Sequence, residues 1–238
     1  MKKLILLTIM LGLTVGANAQ WFNKKVKGNG KIVTITRNVD TYDQVAVAGS
    51  FNVELVAGSE GKLTVQMDEN LLEYLVTEVE GSKLKIRWEK GINVYTKSKL
   101  LITVPFKDID GVSLSGSGDI IANDVIRGDS FRAALSGSGD MNLKVDVNSL
   151  KTAISGSGDI DVAGKSDTLD CAISGSGDFD GSKLDSKEVT VAIAGSGDAS
   201  VGTTEDLNVK IAGSGDVTYN GNPKKNVKIS GSGSVRSR

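Results

Sequence analysis

The sequence predicts an all-β chain that winds as a parallel β-solenoid, with coils of 18–21 residues through its second half. Three observations predict it. A phrase of the type Leu-Ser-Gly-Ser-Gly-Asp-Ile recurs seven times, its first glycine falling at Gly116, Gly137, Gly156, Gly175, Gly195, Gly213 and Gly231, at steps of 21, 19, 19, 20, 18 and 18. Apolar residues alternate with small or polar ones ahead of each copy, the period of a strand. A Gly-x-Gly pair stands at the same place in every copy, where a coil has to bend. A period near 20 fits a β-helix coil or a leucine-rich repeat. The latter lacks its Leu-x-x-Leu-x-Leu frame here, and helical repeats need longer periods and better helix formers.

At the amino terminus, Lys2 and Lys3 precede an apolar run over 4–15, and Ala17-Asn18-Ala19 follows. Charge, short apolar core and small-x-small site together read as a signal peptide over 1–19, cleaved between Ala19 and Gln20. The run is too short to span a bilayer comfortably, and no second long apolar stretch follows, so no integral membrane segment is expected. Residues 20–111 read as an irregular β-rich part, with strands over 31–37, 44–48, 51–56, 63–67, 76–79, 84–88 and 100–104 and one helical turn within 68–75. Glycines at 49, 58, 61 and 81 separate these strands. No linker composition divides this part from the repeats over 112–238. Residues 20–238 are therefore expected to form one continuous domain whose first coils cap the stack.

In the repeats, columns two, four and six residues ahead of the first glycine point inward. Examples are Leu135 and Ile154, then Ala133 and Cys171, then Phe131 and Leu169, with Lys225 breaking the last column. Ile120, Met141, Ile160, Phe179, Ala199, Val217 and Val235 resume the interior after the bend. Cys171, the only cysteine, thus reads as a small core residue, and no internal disulfide is available. The outward columns are Ser113, Ala134, Ala153, Ala172, Ala192, Lys210 and Lys228, beside Ser115, Ser136, Ser155, Ser174, Ala194, Ala212 and Ser230. A sheet face of Ala and Ser is flat and uncharged, unlike a typical solvated face. It is either covered by the chain's own N-terminal strands or free to dock a partner.

A column of carboxylates follows the bend: Asp119, Asp140, Asp159, Asp178, Asp198 and Asp216. At about 4.8 Å between coils these would repel unless compensated. Backbone N–H groups of the turns are one compensator, and Ca²⁺ bound along the ladder is the other. The Gly-Ser-Gly-Asp phrase also has a superficial likeness to a phosphate loop, but seven copies between strands are corners, not one loop opening a helix.

Removing the leader's two lysines leaves 26 basic against 29 acidic residues, which argues against a nucleic-acid partner. Histidine is absent altogether. The usual general base and the usual metal ligand go with it, so no cofactor, metal or catalytic residues are assigned.

Beyond these features the chain resembles a known family, the putative auto-transporter adhesin, head GIN domain proteins of Bacteroidetes. The resemblance rests on Gly28-Asn29-Gly30, the strand over 33–37, the stretch from Val45 to Val53, Asp68-Glu69-Asn70-Leu71-Leu72, Leu84-Lys85-Ile86, Val104-Pro105 and the Ser-Gly-Ser-Gly-Asp series. It implies a right-handed β-helix of the pectate-lyase type.

The functional expectation is a non-catalytic, exported, adhesin-like module, in the periplasm or at the cell surface. Its partner would be a glycan, a cell-surface protein or a second copy of itself. The alternative on the same fold is a polysaccharide lyase or hydrolase; a hydrolase needs two carboxylates converging on a cleft, whereas the repeated aspartates form a regular row. The leader reading predicts that the exported protein begins at Gln20. N-terminal sequencing that found residues 1–19 retained would overturn it.

Overall fold

The computed structural model describes residues 24–203 and 205–238; the expected leader and its cleavage point at Ala19 and Gln20 lie outside them. Strands β1 (Lys24–Lys27), β2 (Ile32–Asn38), β3 (Gln44–Gly49), β4 (Asn52–Ala57) and β5 (Lys62–Asp68) lead to a 3-10 helix at Glu69–Tyr74. Next come β6 (Leu75–Glu80), β7 (Lys83–Trp88), β8 (Ile92–Tyr95) and β9 (Leu101–Phe106). The repeats supply β10 (Gly111–Gly116), β11 (Ile120–Ala122), β12 (Ile126–Gly137), β13 (Met141–Gly156), β14 (Ile160–Gly175) and β15 (Phe179–Gly195). They end with β16 (Ala199–Gly202), β17 (Asp206–Gly213), β18 (Val217–Asn220), β19 (Lys224–Gly231) and β20 (Val235–Ser237). Eighteen of these strands form one sheet that winds on itself, while β1 and β8 pair separately.

Through the repeats every pairing is parallel, with a one-residue register shift between β14 and β15 at Asp161/Ala163, and the seven first glycines are successive cross-strand partners. The fold is the expected solenoid. Its interior is the expected set of columns: Leu114, Leu135, Ile154, Ile173, Ile193 and Ile211 stack on one side, Ile120, Met141, Ile160, Phe179, Ala199 and Val217 on another, all buried. Full burial of one such aliphatic side chain contributes about 1.5–3 kcal/mol. Ile229 continues the first column but is 43% exposed, because it belongs to the last coil. Lys225, the break in the third column, lies in that coil too, and its ammonium reaches the Tyr219 hydroxyl at 2.8 Å.

Both corner glycines are dictated by how closely the coils approach. The first has φ between +133° and +143° in every copy, the left-handed region that side chains resist. A Cβ on Gly156 would fall 2.2 Å from the Gly137 carbonyl oxygen, and one on Gly158 2.0 Å from that of Gly139. The space is closed because the carbonyls of Gly116, Gly137, Gly156 and Gly175 each accept two N–H groups from the next coil, and those of Gly195 and Gly213 accept one each. Gly137, for example, accepts from Ser157 at 2.9 Å and Gly158 at 3.1 Å.

The stack does not begin at residue 114. β3 pairs in parallel with β10, matching Val45 to Val112, Val47 to Leu114 and Gly49 to Gly116, and β4 matches Val53 to Ile120. Gly49 has the corner φ of +136°. Residues 47–53 are thus an eighth, degenerate copy of the phrase, with Phe51 in place of the second glycine and Asn52 in place of the aspartate. Phe51 is accommodated because its outer neighbour is not another glycine corner. Its ring packs on Trp88 with centroids 4.6 Å apart.

Between this coil and the next, the chain doubles back over the end of the stack. β7 lies parallel on β3 and β9 parallel on β4; β6, β5 and β2 then add antiparallel layers. The helical turn expected within 68–75 is the 3-10 helix, and it carries a polar lock. Asp68 is fully buried, its carboxylate accepting from the Gly30 N–H at 2.5 Å and the Thr96 hydroxyl at 2.7 Å. Burial pushes this carboxyl up, but hydrogen bonds from Thr96, Gly30 and Ser98 outweigh it and hold the group below its usual range. Asn70 accepts from the Asn29 N–H and donates to the Lys27 carbonyl. The Gly-Asn-Gly and Asp-Glu-Asn segments are therefore two halves of one contact.

The corner geometry predicts a sharp contrast between glycines. Gly156→Ala should lose about 1–3 kcal/mol from backbone strain alone, with the steric clash adding to it. Gly128→Ala, where an added Cβ meets nothing within 4 Å, should stay within about ±0.5 kcal/mol. Urea unfolding of the two variants checks this; equal losses would refute the close-approach account.

Candidate functional site

The Ala/Ser face is a regular outward strip. In the first row Lys85, Ala46, Ser113, Ala134, Ala153, Ala172, Ala192, Lys210 and Lys228 are successive partners. Arg87, Ala48, Ser115, Ser136, Ser155, Ser174, Ala194, Ala212 and Ser230 form the second. The degenerate coil thus extends the strip by Ala46 and Ala48. Of the two possibilities left open by the sequence, the exposed one holds: Ala153 and Ala172 are exposed, Ala134 and Ala192 half-buried. A shallow trough of about 810 Å³ runs along these rows, from Ser113 and Ser115 to Lys228 and Ser230. Between β3 and β15 both rows are uncharged. At the capped end, Arg87 pairs with Glu78 at 2.7 Å and Lys85 with Glu80.

The carboxylate column faces outward after the corner, and its repulsion is offset by hydrogen bonding. Oδ1 of each aspartate accepts the backbone N–H of the aspartate one coil on, from Asp119 with Asp140 at 3.2 Å to Asp198 with Asp216 at 2.7 Å. Asp216 closes the series on the Ser234 N–H and hydroxyl; these, with Arg236 beside it, hold its carboxyl below the usual range. Among the described residues, no group of three or more acidic or sulfur ligands is placed to hold a metal ion.

A second outward row brings Asn142, Asp161 and Asp180 together. Burial, then the charges of Asp180, Asp159 and Asp140, push the Asp161 carboxyl up. Burial acts on Asp180 as well, but the Ser182 hydroxyl and N–H overcome it and hold that carboxyl down. The depression beside them is only about 140 Å³, below the range of small-molecule sites. Cys171 sits in the core as expected, where burial pushes its thiol up to about 12.

One feature was not anticipated from the sequence. Beside the strip's first coils lies a polar notch of about 620 Å³, lined by Lys83, Arg132 and Lys151 with the Ser130 and Ser149 hydroxyls and Asp110. Gly111 forms its floor, a position where the row of partners Gln44, Gly111, Arg132 and Lys151 lacks a side chain. Arg132 and Lys151 fall one coil apart in the repeat alignment, which was a legible signal. Lys83 joins them only through the pairing of β7 with β3.

The hydrogen-bonded row predicts that Asp159→Asn, which keeps an acceptor and removes a charge, stays within about 0.5 kcal/mol of the parent. Asp159→Ala, which strands the Asp178 N–H, should lose about 1 kcal/mol. Chemical unfolding distinguishes the two, and an Asn variant as unstable as the Ala variant would contradict this reading.

Solved structures share this architecture. A putative adhesin from Bacteroides fragilis superposes with a TM-score of 0.82 at 19% identity, covering 90% of this chain and 100% of its own. A putative lipid binding protein from Parabacteroides distasonis gives 0.76 at 28% identity over 90% of this chain and 100% of its own. A putative adhesin from Parabacteroides merdae gives 0.70 at 25%, over 90% and 99%. No curated protein matches the chain. A family model covers residues 41–223, from the degenerate first coil almost to the last. The chain belongs to the family described as putative auto-transporter adhesin, head GIN domain.

Proposed function

We propose that this protein is a non-catalytic, exported binding module of the cell envelope, and that the Ala/Ser strip is its contact face. The observation that carries this reading is a regular, uncovered sheet face along the stack, uncharged from β3 to β15. Small side chains let another surface come close to the backbone over many coils, and a solenoid holds that surface rigid without an active-site cleft. Membership in an adhesin family supports the binding role and the export. A glycan, a cell-surface protein or a second copy of the chain can each lie on such a face.

Ala153→Arg and Ala172→Arg test the reading. Because both positions are exposed, each variant should keep its stability within about ±0.5 kcal/mol. Each should also lose at least tenfold in binding, whether read on a panel of host and bacterial glycans, on surface proteins, or as self-association by sedimentation. Undiminished binding by both variants would remove the strip from the function.

A further inference from the structure

We infer that the basic notch beside the strip is a headgroup site, and that the ligand is a lipid with a terminal phosphate whose acyl chain lies along the Ala/Ser trough. This rests on the strip being the contact face. The two features are continuous: Ser113 and Ala134 line both the notch and the trough. The notch gathers three cations against one carboxylate, Asp110, and none of Lys83, Arg132 and Lys151 takes part in an ion pair among the described residues. Asp170 stands next in the row beyond Lys151, outside the notch. Guanidinium and ammonium groups beside two serine hydroxyls suit a phosphate.

What adjoins the notch selects among phosphate-bearing ligands. The trough carries Ala, Ser and backbone, with no aromatic ring and no charge until Lys210. An acidic polysaccharide would find neither stacking platforms nor continued positive charge there. An alkyl chain needs only apolar length. From β10 to β19 the trough crosses seven strands, roughly 29 Å at about 4.8 Å per step. One leaflet's acyl chain occupies about half of a 30 Å hydrocarbon core, so roughly 15 Å is required.

Calorimetry on the full chain tests the inference with dodecyl phosphate below its critical micelle concentration, dodecyl maltoside and inorganic phosphate as probes. Dodecyl phosphate should bind, and inorganic phosphate at the same concentration should neither bind detectably nor displace it. The double variant Arg132→Gln, Lys151→Gln should weaken dodecyl phosphate at least tenfold and change dodecyl maltoside less than twofold. Ala172→Arg should abolish binding of both amphiphiles. Loss with Ala172→Arg but not with the double variant would overturn the headgroup site and leave the strip as contact face. Failure of the parent protein to bind dodecyl phosphate would overturn the lipid inference, while its glycan, protein and self-association readouts stand separately. Equal binding of inorganic phosphate would reduce the notch to a free-anion site and overturn it as well.

Discussion

Everything in this structure depends on how near one coil comes to the next at the Gly-x-Gly corner. A carbonyl that accepts two N–H groups from its neighbour leaves no room for a Cβ, and this fixes the register of the whole coil. A slip of one residue would turn each strand's interior outward. With register fixed, like stacks on like: the aliphatic columns fill the interior, the aspartates satisfy one another's backbone, and alanines and serines line up into a plane. The flat strip is thus a by-product of the same contact that closes the corners.

Stacks of this kind have two ends, and an end is an exposed row of hydrogen-bonding groups. The N-terminal end is managed by topology. The degenerate coil is first in sequence but not outermost, since the chain returns across it to lay β7 and β9 on top and antiparallel strands beyond. Asp68 and Asn70 fasten the preceding segment to this cap. At the other end the last coil carries Lys224, Lys225, Lys228, Arg236 and Arg238 and no carboxylate side chain. Charges along an edge strand discourage pairing with another copy of the same edge.

The sequence made the repeats legible because a corner demanding glycine leaves a mark in every copy. Both outward rows, the inward columns and the aspartate series followed from one alignment. Residues 47–53 escaped it for two physical reasons. The cap insertion breaks the spacing before Gly116, and Phe51 occupies a corner position that has the Gly118 corner on one side but no glycine corner on its outer side. The exposure of the strip was undecidable from pattern alone, since Ala and Ser suit a packed layer as well as a free one. The basic notch was half visible: Arg132 and Lys151 share a column, but Lys83 arrives through a strand reversal that no periodicity records. Asp68 was hidden by its setting, because its partners at Gly30 and Thr96 are distant in sequence.

The direction of the interstrand bonds also sets how the molecule responds to force. They run along the stack axis, so tension applied from end to end loads them one coil after another rather than all at once. Each coil that peels away frees 18–21 residues, roughly 60–70 Å of chain at about 3.4 Å per residue, before the next is strained. A tether built this way lengthens in steps and dissipates work at each one, whereas a pull across the coils meets many bonds in shear. Attachment geometry, axial or transverse, therefore decides whether the protein behaves as a shock absorber or as a rigid strut.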